Sequence, residues 1–212
     1  MIHAMDPTMQ TWLSYRLTDL LMFSPAIYAR LFERLNDALW PGHLLLAALT
    51  VAMLMLAGSR VGVAHRLAAG LLAIAWGWVA WRFFGLYAEI NLAAPWFAAL
   101  FGAQAVILLT LATIGPGLAL ARPRRPRHWL GLGLALWGMV LHPFAWLAAG
   151  RPPVGTELFS VAPDPTAIAT IGLLLMARLP RRSRRPMWAI LLALPVAWLS
   201  ISALTWWALL TA

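Results

Sequence analysis

Five side chains in this sequence join a proton-holding or charge-binding group to a position inside or beside a long apolar run: His43, Arg82, Glu89, His142 and Asp164. A polar group in hydrocarbon is costly, so each marks a candidate contact for an ion or solute. His142 stands directly before Pro143, late in its run. The plain alternative is a neutral imidazole bonded to backbone that the proline leaves free. His128 lies earlier in the same run, at a spacing that two haem ligands on one helix would have. A second pair is missing, because His43 and His65 open helices of opposite direction. No cofactor is therefore expected.

Asp164 lies within Ala162-Pro163-Asp164-Pro165-Thr166. The helix expected after it, from Pro165 to Leu179, is about 22 Å long at 1.5 Å per residue, short of the ~30 Å hydrocarbon core. Either the bilayer thins there, or residues 155–164 dip in as non-helical chain, which is tolerated only against protein or a cavity. The plain alternative makes Asp164 the N-cap, with proline next. Arg82 lies at the end of the second apolar run, Glu89 follows it together with Tyr87 and Asn91, and Gln104 lies in the third. With His43, His142, Glu157 and Asp164 they make one polar set that a cation or small polar solute fits, held by carboxylates and imidazoles. The plain alternative is a solvated surface with an Arg82–Glu89 ion pair. The donor set does not single out a metal.

Other chemistries lack their parts. There is no Gly-x-Ser-x-Gly elbow, His-Glu-x-x-His pair, phosphate-binding loop or dinucleotide fingerprint, so no enzyme is expected. Cysteine is absent, which excludes disulfides, iron–sulfur clusters and thiolate metal sites. Gly131-x-Gly133 fits close helix packing instead.

The elements that must position these residues are transmembrane helices. In 212 residues, 62% are hydrophobic and 11% charged, and the mean hydropathy is +0.78. A soluble domain of this size cannot hide that much apolar surface, so the lipid bilayer is the expected partner. Apolar runs at 41–59, 65–86, 94–120, 128–149, 163–179 and 187–210 predict an all-α, polytopic membrane protein of about six helices in three hairpins. The third run contains Gly115-Pro116-Gly117, where it should kink or end early. A net charge of +9 would suggest nucleic acid in a soluble chain. Here the charge sits between apolar runs, so it sets topology and no nucleic acid is expected.

All 16 basic residues are arginine. The loops after the first, third and fifth runs carry most of them, which places those loops in the cytoplasm and both termini outside a bacterial inner membrane. Every acidic residue falls on the opposite, external face. The basic loops recur at a period of about 60 residues, a weak sign of a hairpin repeat.

Residues 1–40 form a separate unit ahead of the 41–212 membrane domain. Asp6, Arg16 and Asp19 interrupt any apolar core that a cleaved leader would need. Asp6-Pro7 and Ser24-Pro25 each read as a helix start, and Ile27, Leu31 and Leu35 share one face of the second helix. Two amphipathic helices lying on the bilayer are expected.

Two stretches carry a resemblance. Trp12-x-x-Tyr15, Asp19 through Pro25, Tyr28-x-Arg30-Leu31-Phe32, Asn36 and Trp40-Pro41 form the first; Phe159 through Ile168 and Gly172 through Leu175 form the second. They resemble a family of bacterial multi-pass membrane proteins classed as a domain of unknown function. Some relatives carry a permease label, which implies transport. That family is associated with a cysteine between two prolines where this chain has Asp164, so a thiol-based metal role is not implied here.

Two functions follow as expectations. The first is a permease-like carrier of a small polar solute or cation, with external access near Asp164, Glu89 and His142. The second is a non-transporting scaffold or accessory subunit that docks a protein partner on the external face through the N-terminal amphipathic helices.

Overall fold

The computed structural model describes residues 23–178 and 184–211. Over those residues it holds seven helices and no strand beyond one isolated bridge, Leu120 to Ala177. The first amphipathic helix expected, after Asp6-Pro7, lies outside the described residues.

Helix α1, Pro25–Leu39, starts as the sequence predicts: the Ser24 side chain accepts from Ile27 N at 3.3 Å, with Pro25 at the first position. Its buried face is Tyr28, Leu31, Phe32, Leu35 and Asn36, the spacing of one helical stripe. That face packs onto the rest of the chain, Phe32 against Phe83 and Tyr28 against Tyr87. At Trp40-Pro41 the chain turns by 89° into α2, Gly42–Gly58.

Helix α3, Gly62–Tyr87, is the central post, since 50% of its most apolar stretch is buried. Helix α4, Ala94–Thr113, packs along it. Trp76 meets Phe101 at 4.3 Å, and small residues let the backbones close up where Gly77 faces Ala105. Helix α5, Pro126–Ala148, contains a π turn at Trp137–Leu141. The turn precedes Pro143, whose missing N–H cannot continue the ordinary ladder. Helix α6 is Pro163–Met176 and α7 is Arg184–Thr211.

In α4, α5 and α7 only 22% of the most apolar stretch is buried within the protein. Exposed side chains such as Leu109, Val140, Ile190 and Val196 therefore need lipid around them, and the chain is an all-α polytopic membrane protein. Of the six expected spans, α3, α4, α5 and α7 have both the length and the hydropathy to cross. The bent α1–α2 pair qualifies only jointly, and α6 has 14 residues. The third run ends early, as Gly115-Pro116-Gly117 predicts: α4 stops at Thr113 and an irregular segment follows.

Helix α6 is short because it does not face lipid. Eleven of its 14 residues are buried, and non-helical chain meets both of its ends. At its start, Phe159 through Ala162 are themselves buried, with Phe159 against α2 and α3. Non-helical backbone is thus packed in protein, the condition that hydrocarbon imposes. Along its length α6 is clamped to α5 by glycines, for a Cβ at Gly172 would lie 2.4 Å from Ala135 N and one at Gly131 2.7 Å from Gly172 O. Gly138 makes the third contact, and Gly133 faces nothing within 4 Å. The close-packing pair is therefore Gly131 with Gly138, two turns apart, rather than Gly131 with Gly133.

Candidate functional site

At the N-terminal end of α6 the chain gathers charges that the sequence spreads between His142 and Asp164. Asp164 occupies the first turn, and the N-cap position belongs to Ala162, with no side-chain cap bond. The capping role expected for Asp164 is not what its carboxylate does. Both oxygens are taken by α7: Oδ1 accepts from Trp198 Nε1 at 2.8 Å, and Oδ2 accepts from Ser202 Oγ at 2.6 Å. Thr166 ties the start of the helix instead, accepting from Ser160 N at 2.9 Å and donating to Ala162 O at 2.7 Å.

His142, on the first turn after the π segment of α5, is buried between Trp137 and Trp146, with ring centroids 6.4 and 6.2 Å away. It lies beside the Glu157 main chain and within electrostatic reach of Asp164. Glu157 itself, in the connection between α5 and α6, is 1% exposed. Burial pushes its carboxyl well above the usual carboxylate range; the nearby Asp164 charge adds to the rise and Arg151 opposes it.

Among the described residues, Arg151 is the cation paired with this group. Its Nη1 stands 3.8 Å from Glu157 Oε1, close enough to feel the charge and too far for a hydrogen bond. The guanidinium lies 3.7 Å from the Trp146 ring centre and 5.4 Å from that of Trp206. Tyr28 of α1 closes the cluster against Trp206. Four buried polar atoms here have no hydrogen-bond partner among the described residues: His142 Nδ1, Trp146 Nε1, Arg151 Nη1 and Glu157 Oε1. Such atoms are rare in folded chains because each costs about 1–3 kcal/mol. They include donors and an acceptor together, which suits a small polar solute carrying both.

The other expected residues stand apart. Glu89 is exposed and spends both oxygens on Arg34 of α1, at 2.7 and 3.3 Å. The Arg34 hydrogen bonds, then its charge, hold the Glu89 carboxyl below its ordinary value. Arg82 lies over Trp81 at 5.5 Å. The Arg82–Glu89 pair offered by the sequence is therefore replaced by Arg34–Glu89, since α1 folds back over the end of α3. His43 sits 3.3 Å from Asn36 Oδ1, and Asn36 in turn donates to Val154 O and Thr156 O. His43 thus supports the loop that carries Glu157 without joining the cluster.

Among the described residues no three His, Asp or Glu side chains converge as metal ligands. The cluster as built suits a proton or a polar organic solute, with Arg151 matched to an anionic group and the two carboxyls to a cationic one. Arg151, Trp198 and Ser202 were not among the residues the sequence singled out. The signal for the last two is the four-residue spacing of Trp198 and Ser202, which puts two hydrogen-bond donors on one face of a mainly apolar helix.

The family model described as "Family of unknown function (DUF6064)" matches residues 26–209, nearly the whole described chain. No curated protein matches, and no solved structure does.

Proposed function

We propose, for a chain that belongs to this family of unknown function (DUF6064), that it is a permease-like carrier whose binding site is the His142, Arg151, Glu157 and Asp164 cluster. The observation that carries this reading is the set of buried charges with unpartnered donors and an acceptor at the blunt end of a helix too short to cross. Buried ionisable groups of this kind mark substrate and proton pathways more often than they stabilise a fold. The solute is small and polar, with a cationic group for the carboxyls. Glu157, which burial biases towards its protonated form, is the residue through which solute and proton binding are linked.

The same reading sets the orientation. The arginine-bearing loops face the cytoplasm of a bacterial inner membrane, and the cluster faces outward with both termini. The scaffold alternative draws less support, because α1 has its apolar face occupied by the bundle itself.

The test is exchange from proteoliposomes loaded with a mixture of small metabolites, read by mass spectrometry. The expected result is accelerated loss of one chemical class, abolished by Asp164→Asn. An efflux profile identical to that of protein-free liposomes overturns the proposal.

A further inference from the structure

The opposite end of the bundle holds a second site, built on backbone rather than on helix faces. After α4 the chain runs as irregular extended backbone through 117–121, pinned on both sides: Leu118 N donates to His65 O and Leu120 N to Ala57 O, while Ala121 N donates to Met176 O and Arg178 N to Ala119 O. Gly117 makes this close approach feasible. Its φ is +73°, and a Cβ there would lie 2.4 Å from the His65 carbonyl carbon. The pinned segment brings together the ends of α2 and α6 and the start of α5 around a cavity of about 730 Å³.

Six arginines line that cavity: Arg60, Arg122, Arg124, Arg125, Arg127 and Arg178. No acidic residue occurs between Glu89 and Glu157 or after Asp164, so the surrounding sequence offers these cations no carboxylate. His128 also lines the cavity and is 6% exposed. Its Nδ1 accepts from Arg124 N at 3.4 Å, which leaves Nε2 as the ring's donor, buried and with no acceptor among the described residues. A cavity lined by donors and by six arginines is complementary to a phosphate-bearing anion.

The source of that phosphate is indicated by what flanks the cavity. Arg127 lies over the Trp188 ring at 5.1 Å, and Met187, the residue before Trp188, lines an apolar groove of about 500 Å³ between α4 and α7, with Leu111, Ile114 and Ile190. A headgroup in the arginine cavity leaves an acyl chain free to lie along such a groove. Basic pockets between membrane helices hold anionic lipid headgroups in this way. We propose that the cavity binds a phosphate ester, supplied by an anionic phospholipid of the surrounding leaflet.

The test uses the full chain in nonionic detergent, with melting followed on addition of phosphatidylglycerol, phosphatidylcholine or inorganic phosphate. Phosphatidylglycerol is expected to raise the melting temperature by several degrees, phosphatidylcholine to leave it unchanged, and added salt to weaken the effect. The Arg122→Gln, Arg124→Gln, Arg125→Gln triple variant should lose the shift, and the matching lysine triple should keep part of it. An equal shift from inorganic phosphate alone would support the phosphate site and move its source from lipid to solution. An equal shift from phosphatidylcholine, or a shift retained in full by the glutamine triple, overturns the proposal. If the glutamine triple does not fold, native mass spectrometry of the wild-type protein decides: preferential retention of phosphatidylglycerol supports the site, and equal retention of both lipids overturns it.

Discussion

Ser202 and Trp198 hold the Asp164 carboxylate from across a helix interface, one donor to each oxygen. Trp206 adds a third donor to this carboxylate, and removing Ser202 takes away the 2.6 Å bond of a buried oxygen. Ser202→Ala should therefore lower the unfolding free energy by about 1–3 kcal/mol, read by thermal melting in detergent. Ser200→Ala is the control, since Ser200 is exposed and bonds only to Val196 O of its own helix; its effect should stay within about 0.5 kcal/mol. The Arg34–Glu89 pair makes a prediction of a different kind. Because the Glu89 carboxyl is held below its ordinary value, its small contribution is present above the unfolded-state pKa and is lost as pH falls through the folded-state one. Glu89→Gln should flatten the acid side of the melting profile slightly, and both groups being exposed keeps the effect small.

Between elements, the α5–α6 clamp decides how closely the site-bearing helix can approach its neighbour. Gly172→Ala forces a Cβ into the Ala135 backbone at 2.4 Å, so it should destabilise by about 1–3 kcal/mol, as overpacking does. Gly133→Ala meets nothing within 4 Å and should be neutral or slightly stabilising, since alanine favours helix. Melting of the two variants side by side separates the outcomes. The sequence showed small residues in this run, yet not which of them face α6. Gly131 and Gly133, two residues apart, face opposite sides of the helix, whereas Gly138, two turns on, shares the face of Gly131, and only the packed α6 shows which face is used. The start of α6 was not legible for another reason: Pro-Asp-Pro fits a helix start at either proline, which left a capping Asp164 as the plain alternative, and only the packing shows that the helix begins at Pro163 and leaves the carboxylate free to reach Trp198 and Ser202. The start of α1 was legible because Ser24-Pro25 is local chemistry, settled within three residues.

For the whole molecule, the apolar runs made the all-α polytopic class legible, while the crossing count was not, because hydropathy alone cannot tell a lipid-facing helix from one buried in protein. Helix α6 shows the difference: it is as apolar as a span, yet eleven of its 14 residues are buried in protein. The sequence's polar set also splits at this scale, with Asp164 and His142 in one cluster, and Glu89, Arg82 and His43 each engaged elsewhere. The proposed orientation is open to test in a chain that has no cysteine of its own. Leu92→Cys and Val61→Cys, both at exposed positions, should react with an impermeant maleimide from opposite sides of the membrane, Leu92→Cys from outside in intact cells. Labelling of Val61→Cys alone in intact cells would reverse the assignment.

The central claim is that the buried charges exist for binding rather than for holding the fold. Glu157 tests it most directly, because its Oε1 has no hydrogen-bond partner among the described residues and its charge is disfavoured by burial. The decisive measurement is the solute efflux rate of Glu157→Gln against wild type in proteoliposomes, normalised to folded protein by melting of the same preparation. The account predicts efflux reduced at least tenfold, with its pH dependence removed and a melting temperature equal to or above that of the wild type. Unchanged efflux from a protein that melts markedly lower would show the cluster to be structural and contradict the account.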